Sequence, residues 1–161
     1  MNCFLDRDGV FNIDNQYIGT KEWFIWYQEI FKILEILKSQ GYKFKLITNQ
    51  SGISRGLFSL QDFLKLSFYF LETLNKKGFD IEIRFCPHLP SENCHCRKPK
   101  PNMILCHSIT NDDIFIGDKN SDMQAAFEAR IPNRWIISPN PSGPYTKSFI
   151  DHKELISFFK K

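Results

Sequence analysis

A chain of 161 residues with 42% hydrophobic and 24% charged content is the size of one ordinary domain, apolar enough to bury a core and too apolar to be disordered. Its net charge of only +3 argues against nucleic acid as the main partner. The first apolar run starts almost at Met1 with no leader-type h-region, so export and membrane insertion are not expected and the protein is read as cytoplasmic.

The elements follow in chain order. Asn2 to Leu5 reads as a strand. Ile30, Ile33, Leu34 and Leu37 recur at helical spacing, and Gly41 is placed to stop that helix. Tyr42 to Ile47 is a second strand, ending at Thr48. Ser59 can cap a helix whose apolar stripe is Phe63, Leu64, Phe68, Leu71 and Leu74, with Gly78 as its stop. Lys65 and Glu72 interrupt that helix, so it is not a membrane span. Ile81 to Phe85 is a third strand, Pro101 opens a short helix, and Ile114 to Ile116 is a buried strand followed by a helix from about Ser121. Trp135 to Ile137 is the fifth strand. A proline-rich loop (Pro139, Pro141, Pro144) leads to a terminal helix near Lys153 to Phe159. No repeat or long linker divides the chain, so residues 1–161 form a single domain in this reading, with a monomer as the default. Alternating strands and helices predict an α/β fold, a mostly parallel sheet with helices on both faces.

In such folds, ligands bind beyond the carboxyl ends of the strands. Asp6 and Asp8 follow strand one, Thr48 follows strand two, and Asp118 follows strand four, with Asp122 one turn later. Taken singly, Asp118 and Asp122 read as helix caps and Asp8 as a turn residue. Jointly they would crowd one rim. Two like charges at 4 Å repel by about 4 kcal/mol at an effective dielectric near 20, so the group calls for a cation. Oxygen ligands beside a phosphate favour Mg²⁺. Thr48, Asn49, Gln50, Ser51 and Gly52 offer hydroxyl, amide and backbone donors suited to phosphoryl oxygens, or form an ordinary polar turn. Arg97 and Lys98 are cations that a phosphoryl-transfer site needs, although a solvated basic turn is their usual fate.

Cys86, His88, Cys94 and Cys96 fall within eleven positions. In a reducing compartment they favour a structural, tetrahedral Zn²⁺ site over disulfides. His95 is a rival ligand, but in an extended segment it points away from Cys94 and Cys96. The metal would fix the chain just before Arg97 and Lys98. Cys3 and Cys106 lie in apolar contexts and read as core residues. His107 and His152 show no partner pattern, so surface or helix positions are their default.

Together these segments resemble the haloacid dehalogenase superfamily of aspartate-dependent phosphatases. The motifs are Asp6-Arg-Asp8-Gly9-Val10, Thr48, Lys98, and Gly117-Asp118-Lys119-Asn-Ser-Asp122, in family order across nearly the whole chain. The resemblance is to the branch without a large cap domain, which contains heptose-bisphosphate and histidinol-phosphate phosphatases. Thr48-Asn-Gln-Ser-Gly-Ile-Ser-Arg-Gly56 and Asp14-Asn15-Gln16-Tyr17 are similar to the heptose enzymes. Asn102, where the family usually has glycine, Ser121, and the aromatic segment Trp23 to Tyr27 depart from the pattern.

The resemblance implies a Mg²⁺-dependent phosphomonoesterase that removes the 7-phosphate of a heptose 1,7-bisphosphate, feeding nucleotide-activated heptose synthesis for surface polysaccharide. Asp6 would be the nucleophile and Asp8 the proton donor and general base. Mg²⁺ would lie on the Asp6 and Asp118 carboxylates and the Asp8 carbonyl. Thr48 and Lys98 would stabilise the transferring group. Asp14, Asn15, Gln16, Tyr17, Asn49, Gln50, Ser51, Arg97 and Lys119 would bind substrate, Arg97 at the second phosphate, and Asp122 would support the site from behind. Histidinol phosphate is the alternative substrate. A nucleic-acid 3′-phosphatase and an inactive zinc-stabilised binding domain are more distant rivals.

Overall fold

Side chains alternate along the strands between two separate cores, and this alternation sets the layer order. A computed structural model describes residues 1–160. Six parallel strands run in the order β3-β2-β1-β4-β5-β6, with β1 at Asn2–Leu5, β2 at Lys43–Asn49, β3 at Ile81–Cys86, β4 at Ile114–Gly117, β5 at Asn133–Ile137 and β6 at Lys147–Phe149. On one face, Cys3, Leu5, Leu46, Ile114 and Ile116 meet α1 (Glu29–Ser39), α2 (Leu60–Lys76) and α5 (His152–Phe158). On the other, Phe4, Ile47, Phe115 and Ile136 meet α3 (Asn102–Leu105) and α4 (Asn120–Glu128). Each fully buried aliphatic or aromatic side chain contributes roughly 1.5–3 kcal/mol. The central strands β1 and β4 are buried along almost their full length, which fixes the position of whatever follows them.

The order reverses at β1, where the chain crosses first to β2 and later to β4. The crevice outside the carboxyl ends of these strands is therefore the expected binding position. Helix boundaries agree with their sequence signals. Ser59 forms a capping box with Asp62 at the start of α2, and Gly41 and Gly78 take positive φ beyond the ends of α1 and α2.

Three expectations are corrected. The buried face of α2 is Phe63, Leu66, Phe70 and Leu74, whereas Leu64 and Phe68 lie outside, 52% and 70% exposed. Two apolar rows with the same spacing run along this helix, and periodicity does not choose between them. Cys106 is exposed, because α3 is only four residues long and ends before it; its Sγ lies 3.2 Å from the Met103 carbonyl. The proline-rich segment contains β6, a short edge strand held by Phe149 against Trp135. His152 takes a helix position, the first residue of α5, and is buried under the first loop. Among the described residues no helix is long and apolar enough to cross a membrane.

His152 ties α5 to the first loop. Its Nε2 lies 2.7 Å from the Val10 carbonyl, and since a carbonyl only accepts, Nε2 carries the proton. The ring stacks on Tyr27 at 4.2 Å. Burial holds the imidazole pKa below its ordinary 6.5, against weaker opposing pulls from the Val10 carbonyl, Glu29 and Asp151. Below that ordinary value the unfolded chain takes up a proton that the folded one resists, so this contribution to stability is flat at higher pH and is lost as pH falls. His152→Gln keeps a donor for Val10 and should lose less stability than the parent between about pH 7 and about pH 5.5 in thermal melts. Equal losses in the two proteins would remove His152 from this role.

Candidate active site

Parallel pairing of Leu5 with Ile116 brings the residues after β1 and β4 side by side. The Asp6 amide continues the ladder by donating to the Ile116 carbonyl at 3.0 Å. Asp6, Asp118 and Asp122 each present an oxygen within 4.8 Å of the others. Gly9 makes this approach possible. Its φ is +87°, and a Cβ there would lie 2.3 Å from Asp118 Oδ2.

Lys98 enters from the opposite side. Its buried Nζ lies 2.8 Å from Asp6 Oδ1, 2.7 Å from Asp122 Oδ1 and 2.6 Å from the Ile47 carbonyl, which accounts for all three ammonium protons. The other oxygen of Asp122 accepts from the amides of Asp118 and Lys119 at 3.2 and 3.0 Å, so Asp122 pins the start of α4 to Lys98. One lysine does not neutralise the group. Burial raises the Asp6 pKa to about 6; Lys98 opposes this, while Asp122 and Asp8 add to it. Asp118 is pushed up to about 9 by burial and by the charges of Asp6 and Asp122. Asp118 Oδ1 is buried without a hydrogen-bond partner. Crowded carboxylates and an orphaned oxygen fit a hard divalent cation such as Mg²⁺.

Asp8 has the opposite environment. Burial disfavours its charge, but the Arg7 guanidinium and the amides of Asn12 and Gln50 outweigh that and hold its carboxyl below the usual range. Arg7 Nη2 donates to both Asp8 oxygens at 3.0 Å, Asn12 Nδ2 to one and Gln50 Nε2 to the other, each at 3.0 Å. With no cation bound, two aspartates one residue apart are thus driven in opposite directions, Asp6 towards holding a proton and Asp8 towards ionisation; a divalent cation beside Asp6 favours its ionised form.

These groups open onto a cleft of about 380 Å³. Its wall carries Asp6, Asp8, Asp14, Gln16, Tyr17, Asn49, Gln50, Ser51, Arg97, Lys98, Lys119 and Asp122, and also Gly52 and Ser121. Asn15 is exposed and does not line it, and Thr48 is buried behind the wall, where its hydroxyl accepts from Gln50 Nε2 at 2.8 Å. Asn49 lines the cleft, yet both ends of its amide engage the Lys98 peptide: Oδ1 accepts from Lys98 N and Nδ2 donates to Lys98 O, each at 3.0 Å. Lys119 Nζ lies 2.7 Å from Asp14 Oδ2 and 3.8 Å from Asp118 Oδ2, linking the loop after β4 to the loop at the mouth. Arg7, to which the sequence motif alone gives no role, is marked in the sequence by its place between two aspartates directly after an apolar strand.

The Cys/His segment folds into one cluster of Cys86, His88, Cys94 and Cys96, with His95 outside it and exposed. Sγ of Cys94 lies 3.5 Å from that of Cys86 and 3.6 Å from that of Cys96, and His88 Nδ1 is 3.5 and 3.3 Å from the sulfurs of Cys86 and Cys96. These separations are far beyond a disulfide. They are close to the edges of about 3.8 Å expected of a tetrahedron with Zn–S bonds near 2.3 Å. Burial opposes the Cys94 thiolate, but the backbone amide of Arg97 and the neighbouring thiols prevail and bring its pKa down to about 7. Arg97 is bonded back to the cluster through Nη1 and the His88 carbonyl at 3.1 Å.

Comparison with known proteins agrees with this geometry. The profile of a family described as polynucleotide kinase 3 phosphatase matches residues 9–127. The chain is 48% identical to the D-glycero-beta-D-manno-heptose-1,7-bisphosphate 7-phosphatase of Helicobacter pylori, covering 98% of this chain and 96% of that one. It is 40% identical to the D-glycero-alpha-D-manno-heptose-1,7-bisphosphate 7-phosphatase of Campylobacter jejuni, over 98% and 95%. The crystal structure of a D,D-heptose 1,7-bisphosphate phosphatase from B. bronchiseptica, complexed with magnesium and phosphate, superposes with a TM-score of 0.84 at 26% identity, over 99% and 97% of the two chains. The chain belongs to the haloacid-dehalogenase-type phosphatases and is a hydrolase of phosphoric monoesters. Within that class, relatives 40–49% identical to it are heptose-bisphosphate phosphatases.

Proposed function

We propose that the protein removes the 7-phosphate of D-glycero-D-manno-heptose 1,7-bisphosphate through an aspartyl-phosphate on Asp6, in the synthesis of nucleotide-activated heptose. The observation that carries this reading is the near-full-length likeness to relatives of that activity, in a chain whose Asp6, Asp8 and Lys98 converge on one cleft. The Asp6 carboxylate attacks phosphorus, and the bond from phosphorus to the sugar oxygen breaks. The electron pair leaves on that oxygen, which takes a proton from Asp8. Asp8, now a base, removes a proton from water as the water attacks the phosphorus of the aspartyl-phosphate, releasing phosphate and restoring Asp6.

Asp8 is held ionised by Arg7 before substrate arrives. A phosphate dianion beside it adds like charge and raises its pKa, so that it can carry the proton for the first step. Lys98 balances the charge that spreads over the phosphoryl oxygens, with Thr48 supporting from behind. Asn49 and Gln50 position Lys98 and Asp8 through their amides. Ser51, Asp14, Gln16, Tyr17 and Lys119 shape the sugar side of the cleft, with Asn15 beside them on the loop. Arg97 takes the second phosphate, for which a planar guanidinium is suited. Mg²⁺ would be held by Asp6, Asp118 and the Asp8 carbonyl, where it screens the carboxylates and the incoming phosphate. Asp122 is already engaged by Lys98 and two amides and serves as support. Zn²⁺ in the Cys/His cluster would be structural. The thiol ligands suit a reducing cytoplasm, and because one chain supplies every site residue, a monomer suffices.

The matched family's description keeps a nucleic-acid 3′-phosphatase in view. Phosphate release with Mg²⁺ should be measured for both anomers of the heptose bisphosphate, histidinol phosphate and 3′-phosphorylated oligonucleotides. We expect kcat/KM for one heptose anomer to exceed every non-heptose substrate by at least about 10²-fold. Preference for histidinol phosphate or an oligonucleotide would overturn the substrate assignment.

A further inference from the structure

We propose that Arg7 is a positioning residue that couples the loop lining the cleft mouth, Asp14 to Tyr17, to the carboxylate of Asp8. This rests on the phosphatase reading above and adds a residue to it. The Arg7 side chain is buried, with its guanidinium 5.9 and 6.0 Å from the ring centroids of Phe24 and Phe63. Two apolar rings leave the charge nowhere to go except its polar partners. Those partners are two in kind. Nε and Nη2 grip Asp8 Oδ1 at 3.2 and 3.0 Å, and Nη2 also reaches Asp8 Oδ2 at 3.0 Å and the Ile18 carbonyl at 3.1 Å. One nitrogen thus holds both the acid–base carboxylate and the backbone that directly follows the mouth loop.

That loop is stiff. Gln16 and Tyr17, both on the cleft wall, have positive φ of 56° and 49°, a conformation non-glycine residues hold only where their surroundings impose it. The next turn is locked by Phe58. A Cβ on Gly19 would lie 2.4 Å from Phe58 Cγ, and one on Gly52 would lie 2.2 Å from Phe58 Cε1, so this ring wedges between the two loops that flank the cleft. Arg55, from the second loop, sits 5.4 Å from the Tyr17 ring centroid. A ligand that shifts Tyr17 has little local slack to absorb the movement. The displacement reaches the Ile18 carbonyl, and Arg7 carries it to Asp8. An arginine serving only the packing would be satisfied by carbonyls; this one spans the two components. A lysine could offer charge but not the planar fork that holds both Asp8 oxygens and Ile18 together.

The test compares Arg7→Met, Arg7→Lys and Gly19→Ala with the parent, on the heptose bisphosphate and on a small aryl phosphate that fills only the phosphate position. Fold is checked by circular dichroism and thermal melting. We expect Arg7→Met to lower kcat by about 10²-fold with KM changed by less than about threefold, and Arg7→Lys to recover part of the loss. Gly19→Ala, which pushes the loop off Phe58, should lower kcat for the heptose bisphosphate more than for the aryl phosphate. A folded Arg7→Met with unchanged kcat, or with its loss entirely in KM, overturns the proposal. If Arg7→Met does not fold, Gly19→Ala decides, and equal effects on the two substrates overturn it. If the parent hydrolyses the aryl phosphate but not the heptose bisphosphate, the substrate assignment fails, while the Arg7 variants remain decisive on the aryl phosphate.

Discussion

Asp6→Asn should abolish phosphate release, lowering kcat by at least about 10³-fold, while the protein stays folded. The amide keeps the shape of the side chain but cannot form the acyl-phosphate bond. The fold should tolerate the change because the charge it removes is a costly one. Burial and the charges of Asp122 and Asp8 raise the Asp6 pKa despite Lys98. A carboxyl whose folded pKa exceeds its unfolded value loses stability as pH rises through that range, so at neutral pH without divalent cation a neutral residue there should leave stability equal or higher. Phosphate assays and thermal melts of the same sample separate the two effects. Turnover at the parent's rate would remove Asp6 as nucleophile, and an unfolded variant would contradict the charge account.

Cys94→Ser should cost both metal and stability. The Cys/His segment has few apolar residues to order it, and Zn²⁺ in such loops supplies on the order of 10 kcal/mol of apparent folding free energy, an upper bound for the loss of one ligand. Among the four clustered side chains, Cys94 is the thiol driven towards thiolate, with a pKa of about 7. Phosphate release should fall as well. Arg97 follows Cys96 directly and bonds back to His88, and Lys98, which bridges Asp6 and Asp122, comes next. Metal analysis should find about one Zn²⁺ per parent chain and markedly less in the variant, with a melting point several degrees lower. Undiminished zinc and stability would refute this ligand set.

Legibility in the sequence followed how locally each feature is determined. The strand-end aspartates could be read because β1 and β4 are short, largely apolar runs that stop at Asp6 and Asp118. The clustering of Cys86, His88, Cys94 and Cys96 could be read from residue type and spacing alone. What depends on tertiary choice was harder. Nothing local shows that α2 buries Leu66 and Phe70 in place of Leu64 and Phe68, since both rows have helical spacing. β6 is three residues held by one neighbour, too short to register as a periodic run. Cys106 looked buried because its neighbours are apolar, but the helix carrying it ends one residue earlier. The amides of Asn49 and Gln50 are aimed largely at Lys98, Asp8 and Thr48, partners far away in sequence or on the same turn. His152 lies 142 residues from the Val10 carbonyl it supports, and no sequence window contains both.

The most direct measurement is rapid acid quench of the protein during turnover of the heptose bisphosphate with Mg²⁺, followed by mass analysis of the N-terminal peptide. A covalent aspartyl-phosphate predicts the mass of one phosphoryl group on Asp6, absent from Asp6→Asn. Phosphate released at full rate, with that peptide unmodified at every quench time and the label on another residue, would contradict it.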